Sequence, residues 1–466
     1  MKYSSLKVSL LVSFFFYSNY GFSEEIAAQG ADKARDFYNE EHFIIEEPDT
    51  EGNPSVSGRP QVKFLDGMRV GPGDDKTGYE TTGYVTNSVA ITARKGVQAD
   101  LIRVIENPPL GLPKIPVPDS NPLTAEKINL GRKLFFDRRL SLNNTFSCAM
   151  CHVPEQGFSS NELEKAVGLE GRSNRRNSPT IYNVAYIERL FYDGRESTLE
   201  NQIWGPLLEH NEMAMTSFGH VLQKLSTLED YEGLFEAAFD GRGADILTLG
   251  KSFASYQRVL VSGNSPFDRW YFAKEENAIN EQAKRGFALF SGKAQCITCH
   301  TVQEKTALFT DNQFHNTGLG FKRSMGIKPE KERMLIAPGT YAYVKQAKVK
   351  LVGEGPLADV GRYEVTLDPD DRWKYRTSSL RNIALTAPYM HDGSMHSLQE
   401  VIAFYNQGGM LKNENGFPNV TQSPLINPLG LSEDEIEDIV AFLMTLTGDN
   451  IAEIVSDAFS APVGDT

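Results

Sequence analysis

The chain has 466 residues, 40% of them hydrophobic, and its 61 acidic residues outnumber 47 basic ones to give a net charge of −14. That length allows two or three hydrophobic cores. The negative balance argues against nucleic acid and anionic membranes as partners and favours neutral or basic ones.

The N-terminus has the pattern of a cleaved secretory signal peptide over residues 1–23. Lys2 and Lys7 form a basic region, residues 8–16 are apolar, and residues 21–23 offer small side chains for cleavage. The apolar run is too short to span a bilayer, which takes about 20 helical residues. We therefore expect a periplasmic protein with no membrane span. Removal of two lysines with the signal peptide leaves a net charge of −16.

Residues 24–119 differ in character from the rest of the chain. Residues 46–78 are rich in Gly, Pro and Asp, residues 79–93 alternate as a strand would, and residues 108–122 form a proline-punctuated linker. This predicts an irregular, partly β N-terminal extension, with the globular part beginning near Asn121.

All four cysteines lie in two Cys-x-x-Cys-His motifs, Cys148–Cys151–His152 and Cys296–Cys299–His300. Each motif is typical of a covalent c-type haem site, in which two thiols bond to the porphyrin and the histidine binds the iron. The motifs therefore predict two covalent haem c groups and leave no cysteine for a disulfide.

Two other interpretations of the cysteine pairs fit less well. A zinc ribbon places its pairs about 15 to 20 residues apart, whereas Cys148 and Cys296 are 148 positions apart. A thioredoxin-like pair needs a βαβ context and does not explain a histidine after both pairs.

A short repeat precedes both haem motifs. Gly131 lies four residues before Phe135, and Gly286 lies four residues before Phe290. With a haem motif following each time, the repeat predicts a mainly α protein with two cytochrome c-like haem domains. We place the domains at 120–280 and 281–450, followed by a tail at 451–466.

Helix signals are clearest near the C-terminus. A capping-box pattern begins at Ser397, and Gly408 is a plausible stop. Between them, four side chains share one face of the helix: Leu398, Val401, Ile402 and Tyr405. A second capping box begins at Ser432, and Gly448 would end that helix. Its shared apolar face consists of Ile436, Ile439, Val440 and Leu443.

The order of motifs resembles the bacterial dihaem cytochrome c peroxidase and MauG superfamily from about Asn121 to Gly448. The resemblance rests on LGRKLFFDRRLS at 130–141, NSPT at 177–180, FYDGR at 191–195, QIWGPLLEHNEM at 202–213 and SLRNIALTAPYMHDG at 379–393. The roles of individual residues in these segments are implied by the resemblance.

In that family the N-terminal haem, here on His152, is high-spin and reacts with peroxide. Conventional peroxidases carry a distal histidine in the loop before the NSPT segment, and it must leave the iron before peroxide binds. This chain has no histidine between His152 and His210, and the loop at 167–172 reads VGLEGR. The resemblance therefore implies a permanently open iron, as in MauG-type enzymes.

The second haem position departs from the conventional peroxidases in another way. The position of their axial methionine, which is tyrosine in MauG, falls on Tyr405. Without the alignment, a tyrosine on an apolar face would be interpreted as packing. With it, we expect Tyr405 to bind the second iron opposite His300, and a phenolate favours ferric and higher oxidation states.

Three residues match family positions around the open iron. Glu212 is expected to take the first proton of H₂O₂ and return it to the departing oxygen. Gln202 lies in the same pocket, and Pro206 acts by its shape. The alternative for Glu212 is a solvated acid at a helix end.

Tyr192 occupies the position where the family usually places a tryptophan that relays charge between the haems. A tyrosine radical normally loses a proton, so relay through Tyr192 would be slower or coupled to a base. Ordinary packing is the alternative. Trp204 is either a substitute relay or part of the core.

The family also implies a Ca²⁺ ion between the haems. Asn177, Thr386 and Pro388 match the positions that donate oxygen ligands, which suit calcium. His391 and His396 are interpreted as structural or haem-propionate contacts. The basic run at 322–331 is either a partner-docking loop or a solvated one.

Together these features predict a periplasmic enzyme that uses H₂O₂ to form a high-valent dihaem state and oxidises a tryptophan or tyrosine of a partner protein, as MauG does. The IWGPLLEHNEM stretch further resembles the MbnH branch, which oxidises a tryptophan of a copper-binding partner. Two alternatives remain: a conventional peroxidase fed by a small cytochrome or cupredoxin, and a non-enzymatic dihaem electron carrier.

Overall fold

A computed structural model describes residues 44–45, 96–161, 163–325, 331–337, 340–345, 358–413 and 415–461. The predicted signal peptide and the strand-like segment at 79–93 lie outside the described residues. Of the segment at 24–95, only 44–45 are described.

The described chain is mainly α-helical, as predicted. Its α-helices are α1 (Ala125–Phe136), α2 (Leu199–Gln202), α3 (Trp204–Leu208), α4 (Phe218–Ser226), α5 (Leu234–Ala238), α6 (Ile246–Arg258), α7 (Pro266–Tyr271), α8 (Glu281–Ser291), α9 (Leu319–Met325), α10 (Tyr363–Thr366), α11 (Leu398–Asn406), α12 (Glu433–Leu443) and α13 (Ile451–Ala458). Short 3-10 helices lie at Leu101–Ile105, Arg138–Leu140, Cys148–Met150, Pro154–Gln156, Leu169–Gly171, Val184–Tyr186, Glu229–Tyr231, Cys296–Thr298, Pro369–Asp371, Ile383–Leu385 and Met444–Leu446.

In the part of the chain that the structure describes, five strands form two sheets. β2 (Phe314–His315) pairs antiparallel with β5 (Tyr375–Arg376), so that Phe314 faces Arg376. β1 (Ile44–Ile45), β4 (Thr340–Lys345) and β3 (Lys331–Ala337) form the other sheet in that order, with Ile44 opposite Tyr343. Most of this three-stranded sheet falls in a smaller compact unit, whereas the larger unit carries both haem motifs and every α-helix of the described residues.

The two helices predicted near the C-terminus begin in the structure where their capping patterns indicated. Ser432 and Glu435 form a complete capping box at the start of α12, which ends at Leu443 and continues as the 3-10 turn Met444–Leu446. Ser397 caps α11 by accepting from the Glu400 N–H, but the Glu400 carboxylate accepts from the His396 N–H instead of completing a box. α11 stops at Asn406, two residues before Gly408 with its left-handed φ of 81°.

The larger unit has two main hydrophobic cores. The first is built from residues between Leu101 and Val261 together with Ile454, Ala458 and Ala461, and the second from residues between Phe267 and Leu446. Cys148 and Cys151 pack against the first core and Cys296 packs against the second. The division at 280 remains a prediction, but each haem motif has a core of its own.

The repeated glycines mark the same helix crossing in the two halves. In α1, a Cβ on Gly131 would overlap the carbonyl oxygen of Ser252 in α6. In α8, a Cβ on Gly286 would overlap the carbonyl oxygen of Asp438 in α12. The glycine repeat found in the sequence therefore corresponds to two equivalent pairs of helices that touch through their backbones.

The described segments that begin at residue 96 and end at residue 461 both join the first core. Leu101 and Val104, in the segment assigned to the extension, are buried there, and the Gly96 N–H donates to the carbonyl of Phe459 at 3.2 Å. The predicted tail contains α13, whose Ile454 is buried in the same core. Helical packing thus begins before Asn121 and continues past residue 450.

The basic run at 322–331 is divided between elements. Lys322 and Arg323 belong to α9, and Lys331 begins β3; residues 326–330 lie outside the described part. No single described helix is long and apolar enough to cross a membrane. By length and composition alone, one pair bent by 54° meets that requirement, Glu433–Leu446 with Ile451–Ala458.

We predict that Gly131→Ala and Gly286→Ala each lower the free energy of unfolding by about 2–3 kcal/mol, because the added methyl group forces two backbones apart. Gly219→Ala in α4 is the matched control. A Cβ there meets only the Ser217 hydroxyl at 3.8 Å, so the change should be neutral or slightly stabilising. Thermal unfolding of the haem-loaded protein measures this. Equal melting temperatures for all three variants would contradict a backbone contact between the helices at Gly131 and Gly286.

Candidate functional site

The first Cys-x-x-Cys-His motif holds its histidine in one orientation. Cys148–Met150 form a 3-10 turn, and the His152 N–H donates to the Cys148 carbonyl at 2.9 Å. The imidazole Nδ1 lies 3.1 Å from the Phe158 carbonyl oxygen, so Nδ1 carries the proton. Nε2 is left as a lone-pair donor for a metal. Burial lowers the pKa of His152, which keeps the ring neutral and suited to ligation.

The second motif repeats this arrangement. Cys296–Thr298 form the turn, the His300 N–H donates to the Cys296 carbonyl at 2.9 Å, and His300 Nδ1 lies 2.9 Å from the Phe309 carbonyl oxygen. Burial lowers the pKa of His300 as well.

The four cysteines are also suited to haem attachment. All four are free thiols, and burial raises the pKa of Cys148 to about 12 and that of Cys296 to about 12. Burial raises the pKa of Cys299 to about 11 and shifts that of Cys151 upward too. Each motif therefore presents two neutral thiols and a neutral imidazole with a free Nε2, which is the donor set of a haem c.

A second internal repeat surrounds the motifs and escaped the sequence analysis. Asn183 and Asn382 both adopt a left-handed conformation, with φ of 62° and 60°, and each precedes a 3-10 turn. Further along, Leu190 forms an isolated antiparallel β-bridge with Glu196, and Tyr389 forms one with Met395. Every position of the second segment follows its counterpart by 199 residues.

The same spacing continues into the helices that follow. Thr198 caps α2 and Ser397 caps α11 with equivalent side-chain bonds. With the same spacing of 199 residues, Pro206 is the counterpart of Tyr405, and Tyr192 is the counterpart of His391. The sequence contained a sign of this repeat. Two Asp-Gly pairs, at 193–194 and 392–393, are separated by the same 199 residues as the two asparagines.

Tyr405 lies beside the second haem motif. It is near the end of α11 and is partly buried, with the Phe404 ring edge-on to it at 5.4 Å. Burial, together with the nearby Cys296 and Cys299, raises the pKa of Tyr405 above its usual range. The phenol is thus close to the two haem-attaching thiols and protonated when no metal is bound.

Glu212 lies beside the first haem motif. Its neighbour Met213 places Sδ 4.0 Å from the Cys148 Sγ, and the charge of Glu212 contributes to the raised pKa of both motif cysteines. Burial and the carboxylate of Glu209 raise the pKa of Glu212 to about 7, while Arg195 opposes the shift. Its carboxyl group therefore changes charge near neutral pH.

The loop at 167–172, which lacks a histidine, packs on the turn that contains Glu212; we call this turn, residues 209–213, the Glu212 turn. The Leu169 N–H donates to the Glu212 carbonyl at 3.0 Å, and the Leu169 side chain is 2% exposed. A Cβ on Gly168 would overlap the Asn211 carbonyl. Arg172 donates to the His210 carbonyl at 3.2 Å. Sequence reasoning identified the loop only by what it lacks, since contacts between residues 38 to 43 positions apart leave no local pattern.

Pro206 lies next to the same turn, and Gln202 is close to it along the chain. The Pro206 carbonyl accepts from the Met213 N–H at 3.2 Å, which joins α3 to the Glu212 turn. Gln202 ends α2 and is partly buried. Trp204 packs edge-on against Phe218 with ring centroids 4.6 Å apart, on the surface of the first core.

Tyr192 belongs to a separate buried aromatic cluster that also contains Phe321, Trp373 and Tyr375. Burial raises the pKa of Tyr192 to about 12, and Arg376 and Arg176 moderate the shift. Sequence reasoning missed the aromatic partners of Tyr192, which come from α9 and from the segment at 373–375.

An ion-pair network borders this aromatic cluster. Arg176 bridges Asp193 at 2.6 Å and Asp359 at 2.7 Å, and its guanidinium lies 5.5 Å from the centre of the Tyr375 ring. Tyr375 also stacks on His391, with ring centroids 3.6 Å apart.

Of the three residues expected to bind calcium, Asn177 lies against the segment that carries the other two. The Asn177 N–H donates to the His391 carbonyl at 2.8 Å, and its side-chain nitrogen donates to the Glu164 carbonyl at 2.9 Å, so its amide oxygen can serve as a ligand. Thr386 ends the turn at Ile383–Leu385, and Pro388 follows it. This neutral oxygen set is compatible with Ca²⁺.

One further group near the second motif has the spacing of a metal site. Ligand atoms of Cys299, Asp311 and His315 lie within 4.8 Å of one another, and His315 Nε2 lies 2.9 Å from Asp311. Because a haem thioether would use the Cys299 sulfur, we assign no separate metal to this group.

Comparison with known proteins agrees with these features. A family profile described as di-haem cytochrome c peroxidase matches residues 125–277. The chain is 37% identical over 341 residues to the methylamine utilization protein MauG of Methylorubrum extorquens, covering 72% of this chain and 83% of that protein. It is 36% identical over 344 residues to the cytochrome-c peroxidase IdrP1 of Denitromonas iodatirespirans, covering 73% and 86%.

Solved structures give the same result. The fold is similar to that of a MauG-like protein associated with microbial copper homeostasis, with a TM-score of 0.59, 31% identity, and coverage of 74% of this chain and 96% of that one. The diheme peroxidase BthA from Burkholderia thailandensis shares the fold at a TM-score of 0.57 and 24% identity, over 71% of this chain and 88% of its own. The chain belongs to the dihaem cytochrome c peroxidase and MauG family.

Proposed function

We propose that this protein is a MauG-like enzyme, which uses H₂O₂ at an open first haem to oxidise a tryptophan or tyrosine of a partner protein. The observation that carries the proposal is a difference between the two halves of the chain at one pair of equivalent positions. Where the second half has Tyr405, a potential ligand, the first half has Pro206, which cannot bind iron.

Two haems bound through the motif cysteines, with His152 and His300 as ligands, would supply the two-electron reduction of peroxide and the storage of oxidising equivalents. The chain's own residues decide where peroxide enters and where the protons go.

On the first haem, the pocket residues leave one face open and supply a base. Pro206 offers no ligand atom, and Leu169 lies in the loop where conventional peroxidases have a histidine. Glu212 accepts a proton from H₂O₂ on its carboxylate and returns it to the oxygen that departs as water. Its pKa of about 7 suits both steps at neutral pH. Gln202 is proposed to orient the peroxide.

On the second haem, Tyr405 is proposed to bind opposite His300. The raised pKa of the free phenol means that ligation must displace its proton, as metal binding does for other protonated ligands. A phenolate ligand then favours oxidised iron.

Between the haems, we propose that Tyr192 relays charge and that Asn177, Thr386 and Pro388 hold a Ca²⁺ ion. Arg176 and Arg376 lie near Tyr192 and disfavour a further positive charge on its ring. Oxidation of Tyr192 would therefore be coupled to loss of its phenolic proton.

The partner and compartment are also part of the proposal. The structural relative associated with copper homeostasis supports an MbnH-like role, in which the substrate is a tryptophan of a copper-binding protein. A periplasmic site is consistent with the predicted signal peptide, because covalent haem attachment of this type takes place after export.

A conventional peroxidase function is favoured by the relatives named cytochrome-c peroxidase. The two functions differ in their need for activation. We predict that the all-ferric protein changes its optical and EPR spectra on addition of stoichiometric H₂O₂. A reaction that occurs only after one-electron reduction would indicate the conventional peroxidase, and ferric haems unchanged under both conditions would leave an electron carrier.

We predict that the rate constant for the reaction with H₂O₂ rises with pH through an inflection near 7. Below its raised pKa Glu212 is a neutral acid and cannot take the peroxide proton; above it, the carboxylate can. Glu212→Gln should remove the inflection and slow the reaction by about 10² to 10⁴-fold. Stopped-flow rates between pH 5 and pH 9, a range set at about two units either side of that pKa, measure both effects.

Glu209→Gln is the matched control for this assignment. The Glu209 charge raises the pKa of Glu212, so its removal should move the inflection to lower pH and preserve the fast rate above it. If the inflection keeps its pH in Glu209→Gln and is still present in Glu212→Gln, the titrating group is not Glu212.

We predict that Tyr405→Phe converts the second haem from low-spin to high-spin, because the substitution removes only the ligating oxygen. EPR of the ferric holoprotein reports this directly. Tyr389→Phe is the control, since its hydroxyl donates to the Ile383 carbonyl at 3.2 Å in the same half. An unchanged low-spin signal in Tyr405→Phe would exclude Tyr405 as a ligand.

A further inference from the structure

Arg376 is a buried arginine without a carboxylate partner among the described residues. It is 9% exposed, and its guanidinium donates to two backbone carbonyls, from Nε to Phe191 at 3.4 Å and from Nη1 to Thr377 at 3.2 Å. Burial lowers the pKa of Arg376, and no described carboxylate opposes that shift. Four other buried arginines in the described part of the chain each pair with a carboxylate: Arg132 with Asp457, Arg139 with Asp137, Arg258 with Glu200 and Arg381 with Asp268.

A buried guanidinium of this kind needs a counter-ion. A charge buried without compensation is strongly destabilising, and arginine cannot avoid this cost by losing its proton. The titratable neighbour of Arg376 is Tyr192. Burial raises the pKa of Tyr192 to about 12, so its phenol is neutral near pH 7 and supplies no negative charge. The described residues therefore leave the anion beside Arg376 to be supplied by another group.

Arg376 lies between Tyr192 and the second haem motif. On one side, the Arg376 N–H donates to the Tyr192 carbonyl at 2.8 Å, and its charge acts on the Tyr192 phenol. On the other side, the backbone of Ser378 is close enough to the His300 imidazole to act on its pKa as a hydrogen-bond partner. The chain thus passes the imidazole of the second motif within two residues of Arg376, which places this arginine in the surroundings of the second haem.

The first half of the chain shows that the repeated backbone does not require this charge. The segment at 177–179 passes the histidine of the first motif as the segment at 376–378 passes that of the second, again 199 residues further along. At this spacing the counterpart of Arg376 is Asn177, which carries a neutral amide. The positive charge is therefore a feature of the second half alone.

We propose that Arg376 pairs with a propionate of the second haem, the one attached to Cys296 and Cys299. Propionates are the carboxylates that a haem carries, and a guanidinium binds a carboxylate through two parallel hydrogen bonds. Nη2 of Arg376 makes no hydrogen bond with a described residue and would supply one of them. The inference needs the two haems that family membership implies, and it does not depend on the peroxide chemistry proposed above.

Such a pair would raise the reduction potential of the second haem. Charge and hydrogen bonding around a haem help to set its potential, and a cation beside the haem disfavours the more positive ferric state. Without Arg376, the propionate charge would be uncompensated and ferric iron would be favoured. The effect of Arg376 is therefore opposite in sign to that of the phenolate proposed for Tyr405.

The experiment is a redox titration of the haem-loaded protein, followed through the ferric EPR signal of each haem. Glu212→Gln, beside the first motif, and Tyr405→Phe, beside the second, identify which signal belongs to which haem. We expect Arg376→Gln to lower the midpoint potential of the second haem, whereas Arg376→Lys, which keeps the charge, should stay close to the wild type. Arg372→Gln is the matched control, because it removes the same charge from an exposed position in the same segment and should change neither potential.

Resonance Raman spectra test the contact itself. The propionate bending band should shift in Arg376→Gln and also in Arg376→Lys, because an ammonium group does not reproduce the planar fork of a guanidinium. If Arg376→Gln does not fold, the band of the lysine variant decides the question.

Three results would overturn the inference and leave the proposed function in place: a propionate band unchanged in both variants, a fall in potential confined to the first haem, or an equal fall in Arg372→Gln. Haems that do not react with peroxide would overturn the proposed function and leave this inference in place.

Discussion

Each half of this protein depends on two helices that cross where a glycine lets their backbones touch. Gly131 brings α1 onto α6, and Gly286 brings α8 onto α12, each against a carbonyl oxygen of the partner helix. No residue with a side chain fits this contact without moving a helix. Because each haem motif follows the glycine-bearing helix of its half, the crossing fixes where a motif begins relative to its core.

Since the two halves share this scaffold, their differences fall on side chains at equivalent positions. Pro206 corresponds to Tyr405, and Tyr256 corresponds to Phe442. Under the proposed function, Pro206 leaves one face of the first haem without a protein ligand, whereas Tyr405 would bind the iron of the second. The inequality proposed for the two haems would therefore require few substitutions on a repeated frame.

Buried ion pairs attach the connecting segments to this frame. Arg381 is 1% exposed, binds both carboxylate oxygens of Asp268 at 2.9 Å, and donates to the Gly111 carbonyl at 2.8 Å. Gly111 has a φ of 84°, and a Cβ there would overlap the Asp268 carboxylate. Loss of one partner would leave a charge buried without compensation, which costs about 3–5 kcal/mol. The N-terminal linker is thus fixed by chemistry that its Pro-rich composition did not suggest.

The features that were predictable from sequence are those with a local signature. The Ser432 capping box, the glycine repeat and the helical face of Tyr405 each occupy a few consecutive turns, and the structure contains all three elements. What could not be predicted depends on contacts between distant segments. Asp457 looks like a solvated acid in a C-terminal tail until α13 packs against the first core and Arg132 meets it. Leu169 has no pattern that would associate it with Glu212.

The proposed calcium ligands also depend on contacts between distant segments. Family resemblance alone implied Asn177, Thr386 and Pro388, because no spacing joins positions 177 and 386. The hydrogen bond from Asn177 to His391 brings Asn177 to the segment that carries the other two. A protein that generates a strong oxidant must also control where that oxidant goes. Burial around Tyr192, with two arginines beside it, makes a charged intermediate costly there. Under the proposed relay, oxidation of Tyr192 would therefore have to release its phenolic proton.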